Sequence, residues 1–290
     1  MKGIYVASAT PFTDGGRFNP SVMVDLMRHH ILQGASGFFV GGSSGECFLL
    51  EEHERTEVFA AACMLKDETN IIAHVGALST AEAIRYAKTA KGFGIPYISA
   101  TPPFYYGFTP LQIARYFYDI SSAVDMPVMV YNFPGNTGKS FDLKDKYVRE
   151  LLCSDAVFGI KHTNLDLFQF ERIRALNPKL VMMNGFDETM LAGFALGADG
   201  SIGSSFNVLL PHFLKIQDAY NSGDMENARG LQVKANNIME TLYSVGLVSA
   251  IKYILSSQGF EVGEPRKPFS ILTDEQKMLV DDVLKENFMC

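Results

Sequence analysis

The sequence predicts an α/β fold, a single (β/α)₈ TIM barrel with a C-terminal helical extension. Three observations predict it. Eight short apolar runs alternate with longer amphipathic stretches. The runs are apolar almost without a break, so both faces of each strand are covered, as a parallel sheet requires. The glycines, hydroxyls and ionisable residues that interrupt the pattern fall directly behind the runs, where such barrels carry their chemistry. A chain of 290 residues exceeds the usual single-domain size, but a (β/α)₈ barrel runs to roughly 250 residues as one domain.

In chain order, GIYVASA (3–9) is the first strand. The helix NPSVMVDLMRHHILQG follows, opened by Asn19 as N-cap and closed at Gly34. GFFVGG (37–42) is the second strand; the loop GGSSGE (41–46) and the helix EEHERTEVFAAACMLKDE come next. NIIAHVG (70–76) leads to a helix that Ser79 caps, ending at Gly94, and YISATPP (97–103) leads to one capped by Thr109. PVMVYNF (127–133), VFGIKHT (157–163), LVMMNGF (180–186) and GSIGSS (200–205) complete the eight. Residues 1–222 are thus assigned to the barrel. Residues 223–290 form the extension, with a proline-rich break at GEPRKPFS before TDEQKMLVDDVLKEN. No linker, low-complexity tract or charge block divides the chain, so residues 1–290 are read as one domain.

The composition is 47% hydrophobic, enough to bury a large core, and the formal charge is −7. That charge argues against nucleic acid and acidic membrane surfaces as partners, since both require a cationic face. No stretch approaches the ~18 consecutive apolar residues of a bilayer span, and MKGIYVASATPFTDGG lacks the apolar segment of a signal peptide. A cytoplasmic protein is expected, with Cys47, Cys63, Cys153 and Cys290 as reduced thiols. The six histidines form no HxH or HExxH spacing, so no metal site is expected. Neither a GxGxxG after the first strand nor a GxSxG elbow is present, which argues against nicotinamide-dependent and serine-hydrolase chemistry.

Lys161 is the most informative residue. It lies inside VFGIKHT, where a buried strand normally carries an apolar side chain. Either its ammonium reaches water at the strand end, or it is an amine inside the barrel mouth. Desolvation there favours the uncharged, nucleophilic form of an amine, suited to attack on a carbonyl. Tyr131, one strand away, is either a packing aromatic or a phenol that donates or relays a proton. The GGSSGE loop offers backbone N–H groups and two hydroxyls for an anion such as a carboxylate, or is a plain glycine turn. Glu46 is read as a structural carboxylate accepting loop N–H bonds. Asp187 is either the N-cap of the helix DETMLAGFALG or a substrate ligand, with Glu188 a first-turn acid.

Taken together, GGSSGE, YNFP, GIKHT, NGFDE and GADGSIGSS, in this order and spacing, resemble the dihydrodipicolinate synthase / N-acetylneuraminate lyase family over essentially the whole chain. The resemblance implies Lys161 as the Schiff-base lysine and Tyr131 as the proton-transferring phenol. It implies that Ser43 links Tyr131 to a second tyrosine from a neighbouring subunit, Tyr105, with Tyr106 as the alternative. Ser43 and Ser44 would hold a pyruvate carboxylate, and the assembly would be a homotetramer. Within the family, YNFPGNTG places Asn136 where dihydrodipicolinate synthases usually carry an arginine. The K-x-T-x-x-DL and NG-[YF]-DE patterns resemble sialic acid lyases, which implies that Thr163, Gly185, Asp187, Glu188 and Ser204 bind a polyhydroxyl tail. The activity implied is reversible cleavage of N-acetylneuraminate to pyruvate and an aldehyde sugar, N-acetylmannosamine. No cofactor is implied, because the protonated imine is itself the electron sink. Aldolases of shorter 2-keto-3-deoxy sugar acids and dihydrodipicolinate synthase are the alternatives inside the family. Outside it stand a non-catalytic barrel binding pyruvate or a sugar acid, and a sugar-phosphate enzyme gripping phosphate with GADGSIGSS.

Overall fold

The computed structural model describes residues 1–288 and shows one closed barrel of eight parallel strands in the order β1 to β8. The strands are β1 (Gly3–Ala7), β2 (Gly37–Val40), β3 (Asn70–His74), β4 (Tyr97–Ala100), β5 (Val128–Asn132), β6 (Val157–His162), β7 (Val181–Asn184) and β8 (Gly200–Gly203). Closure is made by β1, which pairs with β2 on one side and β8 on the other. Each strand stops one to three residues before its apolar run ends. The surplus residues turn out of the ladder and build the loops of the barrel mouth.

Helices separate the strands: α1 (Pro20–Gln33), α2 (Glu52–Cys63), α3 (Thr80–Gly92), α4 (Pro110–Val124), α5 (Pro134–Thr137), α6 (Lys146–Leu152), α7 (Leu167–Leu176) and α8 (Met190–Ala195). After β8 come α9 (Phe206–Ser222), α10 (Met225–Val245), α11 (Leu247–Ser257) and α12 (Asp274–Phe288). Asn19, Ser79 and Thr109 cap α1, α3 and α4 through their side chains, as their residue types predict. Among the described residues no single helix is long and apolar enough to cross a membrane. Cys47, Cys63 and Cys153 are free thiols; Cys290 lies outside the described residues.

The period-two alternation of the strands sorts side chains into two cores. Ile4, Val6, Phe38, Val40, Val128, Val130, Ile160 and Met182 face outward and meet the helices. Tyr5, Ala7, Phe39, Ile72, Met129, Tyr131, Met183 and Ile202 point inward and fill the barrel. Because Ile160 faces the helices, Lys161 faces the interior. The strand that holds the lysine therefore leaves it one place to go, the top of the barrel.

The extension wraps back onto this mouth. At Gly246, with φ of 104°, the chain bends by 111° between α10 and α11. A side chain at that φ would be strained, so glycine is what allows the turn. Ile251 and Leu255 of α11 then pack with Ala9 and Leu26 of the barrel.

Buried histidines, His30, His74 and His162 foremost, make this fold acid-sensitive. Burial lowers the imidazoles of His30 and His162 to about 4, and that of His74 well below its usual value. An unfolded histidine takes up its proton near pH 6.5, whereas these sites resist it. Stability should therefore fall as pH drops from 6.5 toward 4, by about 3 kcal/mol for each of His30 and His162. Thermal melts should show a steep decline in Tm across that window; a flat profile would contradict it. Asp187, whose carboxyl burial raises, acts in the opposite sense.

Candidate active site

Lys161 stands in register with Tyr131 on β5 and Met183 on β7. It is only 4% exposed. Its Nζ lies 4.2 Å from the centroid of the Tyr131 ring and 4.6 Å from that of Phe39. Tyr131 is itself held by stacking on Phe133 at 5.8 Å and by the edges of Phe39 at 5.5 Å and His74 at 5.9 Å. Among the described residues no carboxylate lies within ion-pair distance of Lys161. The chain buries a second lysine, Lys252, which differs on this point: its Nζ pairs with Glu46 at 2.8 Å. Burial lowers Lys252 to about 8, yet its ammonium is engaged and it does not line the mouth cavity. Of these two, Lys161 is the one free to react.

The loop after β2 is pinned from three sides. His74 donates from Nδ1 to the Gly41 carbonyl at 3.0 Å, and its Nε2 accepts from the Thr101 backbone N–H at 3.3 Å. These two partners together fix the tautomer of a histidine that burial keeps uncharged. Thr10 donates to the Gly45 carbonyl at 2.7 Å. The Glu46 carboxylate accepts from the Arg266 backbone N–H at 2.6 Å and pairs with Lys252. Glu46 is thus structural, but its partners belong to the C-terminal segment and not to its own loop. The restrained turn carries Ser43 and Ser44 into the cavity wall, where the Ser44 and Ser204 hydroxyls meet at 2.6 Å. Among the described residues no hydrogen bond joins Ser43 to Tyr131.

Asp187 does not cap the helix that follows it, which corrects one of the two sequence readings. Its Oδ2 accepts from the backbone N–H of Ser205 at 2.8 Å and from its hydroxyl at 2.6 Å, crossing from β7 to the start of α9. Its Oδ1 is buried without a partner. Position 203 must be glycine for this, since a Cβ there would sit 2.0 Å from that oxygen. Thr163 shows the same arrangement: Oγ1 is buried and unpartnered, and a Cβ at Gly185 would fall 2.0 Å from it. Two polar atoms left unpaired in a buried cavity cost free energy unless a ligand satisfies them.

Lys161, Tyr131, Ser43, Ser44, Thr163, Gly185, Asp187 and Ser204 all line one cavity of ≈ 250 Å³. Two predicted residues do not. Glu188 is half-buried behind the wall, with Oε2 unpartnered and its carboxyl raised by burial and by Asp187. Tyr105 is 75% exposed on the loop after β4, edge-on to Tyr106, and does not reach the cavity of its own chain. The sequence reading missed the side of the cavity that the extension builds: Tyr243, Leu247, Val248, Ile251 and Phe269. Asn136 lies on the rim, with no guanidinium among the lining residues.

Over residues 1–287 the chain matches the dihydrodipicolinate synthetase family. It is 37% identical to the N-acetylneuraminate lyase of Rhizobium meliloti over 270 residues, covering 93% of this chain and 89% of that one. Among solved structures, CdNal from Clostridium difficile in complex with mannosamine aligns with a TM-score of 0.94 and 34% identity, covering 99% of both chains. A catalytic lysine mutant of the sialic acid aldolase of Ruminococcus gnavus aligns with a TM-score of 0.93 and 27% identity, covering 99% of this chain and 95% of that one.

Proposed function

Because the chain belongs to the dihydrodipicolinate synthetase family, we propose that it is a Schiff-base-forming lyase that reversibly cleaves N-acetylneuraminate to pyruvate and N-acetylmannosamine. One observation carries the reading: a buried amine without a carboxylate partner lies against a phenol, in a cavity that also holds the Ser43 and Ser44 hydroxyls and the unpartnered oxygens of Thr163 and Asp187.

In the cleavage direction the Lys161 amine attacks the C2 ketone of the open-chain sugar acid, and water leaves to give an iminium. The C3–C4 bonding pair flows into that iminium, forming an enamine as the aldehyde departs. Tyr131 relays the proton that the C4 hydroxyl releases. Protonation of the enamine at C3 and hydrolysis then free pyruvate and restore the amine. Ser43 and Ser44 hold the pyruvate carboxylate, their turn offering N–H and O–H donors. Thr163, Asp187 and Ser204 receive the tail. Ionised carboxylates are acceptors only, so they suit sugar hydroxyls and repel a second acid group. With Asn136 on the rim in place of an arginine, a dicarboxylate has no bidentate partner, which weighs against dihydrodipicolinate synthesis. The exposure of Tyr105 supports its supply to another copy within a homotetramer.

Asp187→Asn keeps an oxygen for Ser205 but turns an acceptor facing the tail into a donor. It should raise KM for N-acetylneuraminate about tenfold or more while leaving pyruvate able to form its lysine adduct. Pyruvate release from N-acetylneuraminate and from a panel of 2-keto-3-deoxy acids is the assay. Faster cleavage of a six-carbon acid would transfer the proposal to the shorter substrates, and equal loss of tail and pyruvate binding would make Asp187 a structural tie only.

A further inference from the structure

The acidic turn after β7 is held by one face of α10. Gln232 donates to the Asp187 carbonyl at 3.1 Å and accepts from the Leu191 N–H at 3.1 Å. One turn on, Asn236 donates to the Glu188 carbonyl at 3.2 Å and accepts from Gln232 at 2.9 Å. Tyr243 lies seven residues beyond Asn236, on the same face of the helix. It lines the cavity that holds Lys161, whereas Glu188 does not. Its phenol stands close enough to the carboxylates of Glu188 and Asp187 for both to act on it.

We propose that Tyr243 is a specificity-determining residue, the group through which the extension reads the polyhydroxyl end of the substrate. This rests on the lyase reading for the identity of the substrate, and on the geometry for the role. A phenol has one proton. When that proton is given to Glu188, the oxygen offers the cavity lone pairs only. The unpartnered Oδ1 of Asp187 is likewise an acceptor. Two acceptors at one end of a cavity select a neutral tail rich in O–H and N–H donors and discriminate against an anionic one. Burial and the two neighbouring carboxylates raise the ionisation of Tyr243, so the phenol keeps its proton at neutral pH.

Tyr243→Phe removes the hydroxyl and keeps the ring, at a position 47% exposed where the fold tolerates the change. Calorimetric titration with N-acetylmannosamine should show binding weakened about tenfold relative to the unaltered protein. In turnover, KM for N-acetylneuraminate should rise by a similar factor with kcat within about twofold, and KM for a six-carbon 2-keto-3-deoxy acid should move less. The acid limb of KM for N-acetylneuraminate should also shift to higher pH, because a phenol proton directed at Glu188 favours its ionised form and phenylalanine has none to offer. A purely structural tyrosine would lower Tm without this pH shift or this split between substrates. Sugar binding changed by less than about twofold, or absent from the unaltered protein, overturns the proposal. The lyase reading fails separately, through absence of pyruvate release by the unaltered protein, and leaves the titration result intact.

Discussion

Lys161→Met should abolish turnover, lowering kcat by at least roughly four orders of magnitude while the barrel stays folded. Methionine has nearly the shape of the lysine stem, and the site it would fill is apolar: the faces of Tyr131 and Phe39. No ion pair is broken, since no carboxylate is within ion-pair distance of the amine among the described residues. Tm should therefore hold or rise, because burying an amine carries a desolvation cost that a thioether does not. The contrast with Lys252 isolates the chemistry. Removing that lysine strands the buried Glu46 charge and costs stability, about 3–5 kcal/mol for a broken buried pair, so a loss of activity there reports folding. Steady-state rates together with thermal melts on Lys161→Met separate the two. Residual turnover above about one per cent would place the nucleophile elsewhere.

Tyr131→Phe should lower kcat by about 10²–10⁴, the range of a positioned proton donor or relay. The ring would keep its stacking on Phe133 and its edge contacts with Phe39 and His74, so the aromatic walls around Lys161 survive. The pyruvate adduct on Lys161 should still form, since the loss falls on the step in which the C4 proton moves. Single-turnover measurement of aldehyde release against imine formation checks this. Equal slowing of both steps would make Tyr131 a positioning ring, with the proton carried by another group.

The strands were legible because the barrel imposes a strong pattern: apolar on both faces, with the exceptions confined to strand ends. That pattern alone places Lys161, Tyr131, Ser43, Ser44, Thr163, Asp187 and Ser204 at one mouth. Side-chain direction was less legible. Asp187 reads equally as a cap for its own helix, and only the position of Ser205, eighteen residues on, decides which N–H it reaches. Glu46 likewise finds its partner N–H at Arg266, a contact across 220 residues that no local pattern encodes. The wall built by α10 and α11 was invisible for a similar reason. Tyr243 reads as one more apolar position in a helix, and α10 is brought to the cavity by the contacts of Gln232 and Asn236 with the turn after β7, while Gly246 turns the chain by 111° to bring Leu247, Val248 and Ile251 in beside it. The one local sign was the glycine itself, placed between two helical patterns.

Whether the amine of residue 161 forms the imine is tested most directly by reduction. Incubating the protein with pyruvate and borohydride, then mapping the product by peptide mass spectrometry, should yield one stable adduct, on the peptide carrying Lys161. An unmodified Lys161 peptide, or an adduct on Lys252 instead, would contradict the account.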